Sequence, residues 1–267
     1  MLNILNIIIT LVALNILMVA HEFGHFLMAK LFKVKVEEFN VGFPPTIFSF
    51  MSGGVKYALN AIPFGAYVKL SEEEGKPESF LTKKNWQKAG IFIGGVALNA
   101  LIAIVIMCFL FNTGFPKVFL PNISQAEAEG FVSYPLGQAL RETFNFLNYV
   151  LVQSLLGFKT AFIKIITKLD VNDLVGPVGL FALTSRGFEL GWRYGLYLIA
   201  LISYALAIFN LLPIPAVDGG QLFFLLIGVI TRKPIPKKVE VVLDNLVLVA
   251  LMFLAILVTI KDFRFFY

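Results

Sequence analysis

The residues with the most evident chemistry are His21-Glu22-Phe23-Gly24-His25, set in the lower part of the first long apolar run. On a helix, imidazoles four residues apart share a face and can close on one metal ion. Glu22 projects beside that face, where it can touch a water on the metal without being a ligand. Two neutral nitrogen donors, a nearby carboxylate and an open coordination position are the parts of metal-assisted hydrolysis. The chain has only two histidines, and both are here. An HExxH can arise by chance on a soluble amphipathic helix, but the flanks here are membrane-like. A carboxylate buried in a lipid-spanning helix costs about 2.5 to 3.5 kcal/mol on insertion scales, which an idle Glu22 would not justify.

The elements that must position these groups are apolar throughout. In 267 residues, 58% are hydrophobic, and the mean hydropathy is +0.82. Apolar runs of this length exceed what a globular core needs, so the expected fold class is a mainly α, polytopic membrane protein. The single Cys108 excludes a disulfide framework and a Cys-rich metal cluster. The net charge of +5 would suggest nucleic acid in a soluble domain, but here its distribution over loops matters more, and no nucleic-acid module is visible.

Four transmembrane helices are predicted. The first lies within 1–32 and carries the histidines; without a basic n-region or a small-residue cleavage site it reads as a retained span. His21 stands roughly 14 Å along the helix from Lys30, which puts the metal inside the bilayer near the basic end. Residues 33–88 hold β-rich pieces punctuated by glycine and proline, predicting a small membrane-associated meander of three or four strands, then a polar loop. That meander is either a compact surface hairpin or a sheet offering an open edge to an extended substrate. The second span lies in 89–112, with Gly90 and Gly94 as a small-residue packing face and Asn99 as a buried polar group needing a partner. Residues 113–190 contain a loop and one or two amphipathic helices, expected to lie in the interface rather than cross it. The third span and a proline-broken segment occupy 191–230, and a basic loop with the fourth span occupies 231–267. Asp244 reads as a residue of that last helix's start.

Lys and Arg number eight in 33–88 and four in 231–240, against six in 114–190. By the positive-inside rule the first pair of loops is cytoplasmic, and both termini and the amphipathic segment lie outside.

A catalytic zinc usually has three protein ligands, and with both histidines used the third should be a carboxylate. Asp218 alone sits in a broken, apolar segment, Asn210 to Gly220, where irregular backbone at membrane depth must line a cavity. Gly219 and Gly220 would leave its backbone free to turn; the plain alternative for Asp218 is an Asx-type turn. Zinc on His21, His25 and Asp218 would bring a bound water to a pKa of about 7. Glu22 would take its proton, and Asn210 is placed to donate to an oxyanion or to the substrate backbone.

The pairing of His21-Glu22-Phe23-Gly24-His25 with Asn210-x-x-Pro213-x-Pro215-x-x-Asp218-Gly219-Gly220 resembles the site-2 protease family of intramembrane zinc metalloproteases, most of all its bacterial regulator of sigma-E protease branch. The likeness extends to Tyr57–Leu70, to Gly94-Gly95-x-x-x-Asn99 and to Gly176-Pro177-Val178-Gly179. It implies one Zn2+ ion at His21, His25 and Asp218, Glu22 as general base, and cleavage of single-pass membrane proteins such as anti-sigma factors or remnant signal peptides. The location would be a bacterial plasma membrane. It also implies that the β loop, through Tyr57, Leu59 and Ala61, holds an unwound substrate as an added strand. Val217 and Val96 stand where Leu and Pro are usual. That branch normally carries PDZ domains after the second span; about twenty residues between Gly114 and Pro135 leave no room for one, although Phe119–Ile123 and Ala126–Gly130 are similar to the start of such a module. A metal transporter or a client-binding pseudoprotease is the alternative; the first would show further ligands along several spans or an internal repeat, which are not seen, and the second fits an intact Glu22 poorly.

Overall fold

A computed structural model describes residues 4–121, 128–168 and 170–266. Helix α1 spans Ile4–Leu31. It ends in a Schellman motif, with Lys33 in the left-handed region (φ 54°) where glycine is usual. The N–H groups of Lys33 and Val34 donate to the carbonyls of Lys30 and Ala29 at 3.1 and 2.8 Å. Val34 and Ala29 are both fully buried, so the same turn that stops the helix directs the chain into the core beneath the sheet.

Strands β1 (Val36–Ser52) and β2 (Val55–Leu70) pair antiparallel, joined by a glycine turn at Gly53-Gly54. Each bends part-way, β1 at Gly42 (φ 79°) and β2 at Gly65 (φ 83°), so the pair divides into four segments. Residues 38–41 pair on one side with 66–69 and, with the register rising in step from Glu38–Lys56 to Val41–Leu59, on the other with 56–59. Segment 55–60 is in turn paired with 46–52. The order across the sheet is therefore 66–70, 36–41, 55–60, 46–52: the number of strands is within the three or four expected, but the order is not that of a meander, because 36–41 lies beside 55–60 and 66–70 rather than beside 46–52. Only the first and last of these have open edges.

Helix α2 (Asn85–Thr113) returns from the polar loop. A short ladder, β3 (Phe115–Pro116) with β4 (Phe131–Val132), closes the segment that follows, and residues 122–127 of the PDZ-like stretch lie outside the described residues. Then come α3 (Leu136–Lys168), α4 (Pro177–Leu190), α5 (Trp192–Leu211), α6 (Asp218–Thr231) and α7 (Lys237–Phe266).

Among the described residues five helices, α1, α2, α3, α5 and α7, are long and apolar enough to cross a membrane, against the four expected from the sequence. The added one is α3: Gln153, Gly157 and Lys159 break its apolar face but do not break the helix. Its ends are anchored at the far ends of other helices. Tyr134, just before it, donates to Phe111 O of α2 at 2.8 Å; the loop after it accepts from Lys261 of α7 through Asn172 O at 3.3 Å.

The chain forms two compact units. The first comprises 1–11, 101–205 and 250–267, and its core packs Phe111 stacked on Phe115, with Phe146 and Tyr197 edge-on to Phe115. Asp262, 1% exposed, crosses to the start of α4, where its Oδ2 accepts N–H groups of Gly176 (2.9 Å) and Gly179 (2.8 Å). A Cβ on either glycine would meet that oxygen at 2.8 Å, which explains the glycines of Gly176-Pro177-Val178-Gly179. Asp262→Ala should leave two buried N–H groups orphaned and cost roughly 3 kcal/mol. A thermal melt in detergent lowered by several degrees is the expected result.

The second unit comprises 12–100 and 206–249. It holds the sheet, and its core is Ala29, Val34, Val36, Val55 and Ile91. In both units large apolar side chains face outward along whole helices, as with Leu246 and Val249 of α7 at 64% and 66% exposed. Water would not tolerate such faces; lipid is their natural solvent.

Candidate metal centre

Everything in the site belongs to the second unit. Helices α1 and α2 cross at glycine on glycine: a Cβ on Gly24 would overlap the Gly94 carbonyl, and one on Gly94 would come within 2.5 Å of Gly24 O. This backbone contact, of the small-residue type common in membranes, brings α2 against the imidazoles. His25 Nδ1 lies 2.8 Å from Ile91 O. A proton on Nδ1 donates there and leaves Nε2 as a bare lone pair. The Asn99 Nδ2 lies 3.5 Å from His21 Nδ1; the same tautomer on His21 requires that amide turned over, with its oxygen accepting from Nδ1.

Asp218 arrives from the other side. Helix α5 stops ahead of Pro213, and α6 begins at Asp218, after a loop in which Ala216 adopts a left-handed φ of 73°. Gly219 and Gly220 are expected to free the backbone, but both are helical. Their role is space, since a Cβ on either would collide with the carbonyls of Leu212 or Ile214.

The three side chains converge. Asp218 Oδ2 lies 3.0 Å from His21 Nε2 and 3.3 Å from His25 Nε2, and the two imidazole nitrogens are 3.2 Å apart. Zinc bonds of about 2.0 to 2.2 Å in a tetrahedron require ligand–ligand edges of roughly 3.3 to 3.6 Å, so the donor triangle needs only slight widening to fit that ion. Asp218 Oδ2 is buried and has no conventional hydrogen-bond donor among the described residues. The ligand atoms of Glu22, His21 and His25 also lie within 4.8 Å of one another. Glu22, however, is held differently: its Oε2 accepts the Val68 N–H at 3.2 Å. Of the two carboxylates, Asp218 closes the triangle and Glu22 stands beside it.

Residues 9–255 match the profile of peptidase family M50. The chain belongs to that family. A protein predicted to be a zinc metalloprotease in Clostridium perfringens is 29% identical over 331 aligned positions, covering 97% of this chain and 98% of the relative. One similarly described from Fusobacterium nucleatum is 23% identical over 97% of this chain and 98% of its own length. A third, from Helicobacter pylori, is 39% identical over 45% of this chain and 36% of the relative. The first alignment is longer than the 267 residues here, so that relative carries residues this chain lacks. The M50 chain is thus a membrane-embedded protease, and zinc is its cofactor.

A cavity of about 450 Å³ contains His21, Glu22, His25, Asp218, Asn210 and Asp244. Asn210 reaches it, with one amide N–H engaged by Leu206 O one turn back (3.0 Å). Tyr57, Leu59 and Ala61 do not. Tyr57 is paired with Phe39 and Phe50, and Leu59 with Val41 and Phe48, so this segment has no open edge for an added strand. Tyr57 and Leu59 line a separate apolar pocket with Phe39, Val41 and Phe50. The open edge next to the site is instead 66–70, marked by Val68. Sequence reading passed over Gln221 and took Asp244 for a helix-entry residue; Asp244 lies instead in the second turn of α7, in the cavity. A larger cavity of about 1380 Å³, bordered by Val68, Lys69 and Leu70, shares Gln221 and Asp244 with the first. On its rim Lys69, 2.9 Å from Glu37, holds that carboxyl below its ordinary range.

Proposed function

We propose that this M50 protease is an intramembrane endopeptidase that cuts single-pass membrane proteins, of the anti-sigma factor or remnant signal peptide kind, within or beside their transmembrane segment. His21, His25 and Asp218 hold the zinc and Glu22 is the general base. The observation that carries the reading is the approach of Asp218 Oδ2 to both imidazole nitrogens, with Glu22 next to them. Bound zinc supplies Lewis acidity, acidifying water and stabilising charge on a carbonyl oxygen. Glu22 takes the proton of the attacking water and returns it to the leaving amine. Its Oε2 is steadied by Val68, which leaves Oε1 for that transfer. An extended substrate paired along 66–70 would run directly past Glu22, which favours strand addition at this edge over segment 57–61.

The orientation follows the charge count: 33–88 and 231–240 face the cytoplasm of a bacterial inner membrane, with both termini outside. The Lys237–Glu72 ion pair supports a common side for these two loops. The anchoring of both ends of α3 at the far ends of α2 and α7 supports its lying in the outer interface rather than forming a fifth crossing.

The test is zinc content and cleavage of a single-pass test substrate by purified protein in bilayers. One zinc per chain, cleavage abolished by a chelator and restored by zinc, is the expected result. Zinc that moves across the bilayer without any cleavage would establish a transporter instead.

A further inference from the structure

The carboxylate of Asp244 lies in the metal cavity but is no part of the donor triangle, and its two oxygens are both engaged. Oδ1 accepts the backbone N–H of Ala216 at 2.8 Å, and Oδ2 accepts from the side-chain amide of Gln221 at 2.9 Å. These partners bracket Asp218: one is two residues before it in the loop, the other three residues after it on the next turn of α6. We propose that Asp244 is a positioning residue, a fixed point on α7 that locks the 213–217 loop to the start of α6 so that Asp218 meets the two imidazoles. This rests on the reading of Asp218 as a zinc ligand.

Physical reasons for such a clamp are visible in the loop. Ala216 has a φ of 73°, a region in which a non-glycine residue is strained. Pro213 and Pro215 remove two backbone donors, so few internal hydrogen bonds are available to hold the turn. What remains is sparse: Ile214 N–H to Leu212 O at 2.7 Å and Val217 N–H to Ile214 O at 3.4 Å. Val217, the N-cap residue just before α6, makes no side-chain cap. The Ala216 N–H points into the cavity, and Asp244 is what receives it. A ligand carried on the first residue of a helix, directly after a loop of this kind, takes its position from whatever fixes the loop. Supports of this kind around metal ligands are worth about 10- to 100-fold in metal affinity.

Chelator competition for zinc, read on the purified protein in detergent, tests this without relying on turnover. Asp218→Ala is the reference variant and should lose zinc. Asp244→Ala should weaken zinc by about 10- to 100-fold, with kcat lowered and the KM of the test substrate little changed. Asp244→Asn keeps an acceptor for Ala216 and can face a turned Gln221 amide, so it should stay within a few-fold of wild type. Pairing it with Gln221→Glu restores an N–H donor opposite a carboxylate and should do so as well. Gln221→Leu removes one of the two bonds and should fall between. If wild type binds zinc and Asp218→Ala does not, yet Asp244→Ala binds as wild type does, the positioning role is wrong while the zinc site stands. Equal losses in Asp244→Asn and Asp244→Ala would also overturn it, since charge rather than anchoring would then matter. If Asp244→Ala fails to fold, the comparison of Asp244→Asn with Gln221→Leu decides: the proposal requires the second to bind zinc more weakly. If wild type itself binds no zinc, the reading of the site falls and the proposal with it.

Discussion

Glu22→Gln is expected to retain one zinc per chain and to lower cleavage of a single-pass substrate by about 10²- to 10⁴-fold, the range for removal of a general base. The amide has nearly the shape of the carboxylate, and its oxygen can still accept the Val68 N–H now bonded to Glu22 Oε2. The donor triangle of His21, His25 and Asp218 does not include it, so metal binding should be unaffected. Only the capacity to accept a proton is lost. The two measurements together separate the alternatives. Loss of zinc in Glu22→Gln would mean that Glu22, whose oxygen is also within ligand range of the imidazoles, is a ligand after all. Cleavage at the wild-type rate would discard the general-base mechanism.

How much of this was readable beforehand follows the physics of each signal. His21 and His25 were legible because helical periodicity is local: four residues suffice to put two side chains on one face. Asp218 was legible for a different reason, since a carboxylate among prolines and apolar residues is expensive unless it has a task. The glycines were only half legible. Small residues four apart announce close packing, but not that Gly24 faces Gly94, nor that Gly95 lies beneath the imidazoles. The sheet shows the limit most clearly. Alternation and glycine turns gave the strands, yet which segment keeps an open edge depends on how β1 and β2 bend back on themselves, and Tyr57–Ala61 and Ala66–Leu70 read alike as strands. Asp244 reads only as a helix-start residue because its partners are a backbone N–H and an amide 28 and 23 residues away. Nothing in the spacing marks such a pair. For α3, the interruptions of its apolar face were seen correctly, but length and apolarity alone class it with the spanning helices.

Gly95→Ala should have the other large effect, although this residue has no chemistry of its own. A Cβ at Gly95 would stand 2.6 Å from His25 Nε2 and 2.8 Å from His21 Cε1, closer than real Cβ atoms come to neighbours. Neither ring can yield alone. His25 is tied through Nδ1 to Ile91 O, on the same helix as the intruding methyl. The two rings pack edge to face with centroids 4.7 Å apart, so displacing one drives it into the other. The helices cannot separate to make room either, because Gly24 and Gly94 already touch through backbone, and close-packed interiors do not deform smoothly. Both nitrogen donors should therefore move, weakening zinc by about 100-fold or more, the upper end of what support residues around a metal control. Gly90→Ala is the matching control on the same helix pair. Its Cβ would meet the ring tip of Phe32 at 2.7 Å and the end of Met28 at 3.5 Å, side-chain termini that can turn aside. It should bind zinc nearly as wild type does. Equal zinc affinity in the Gly95 and Gly90 variants would show that the imidazoles are not wedged against α2, and the tight crossing would then have no part in shaping the metal site.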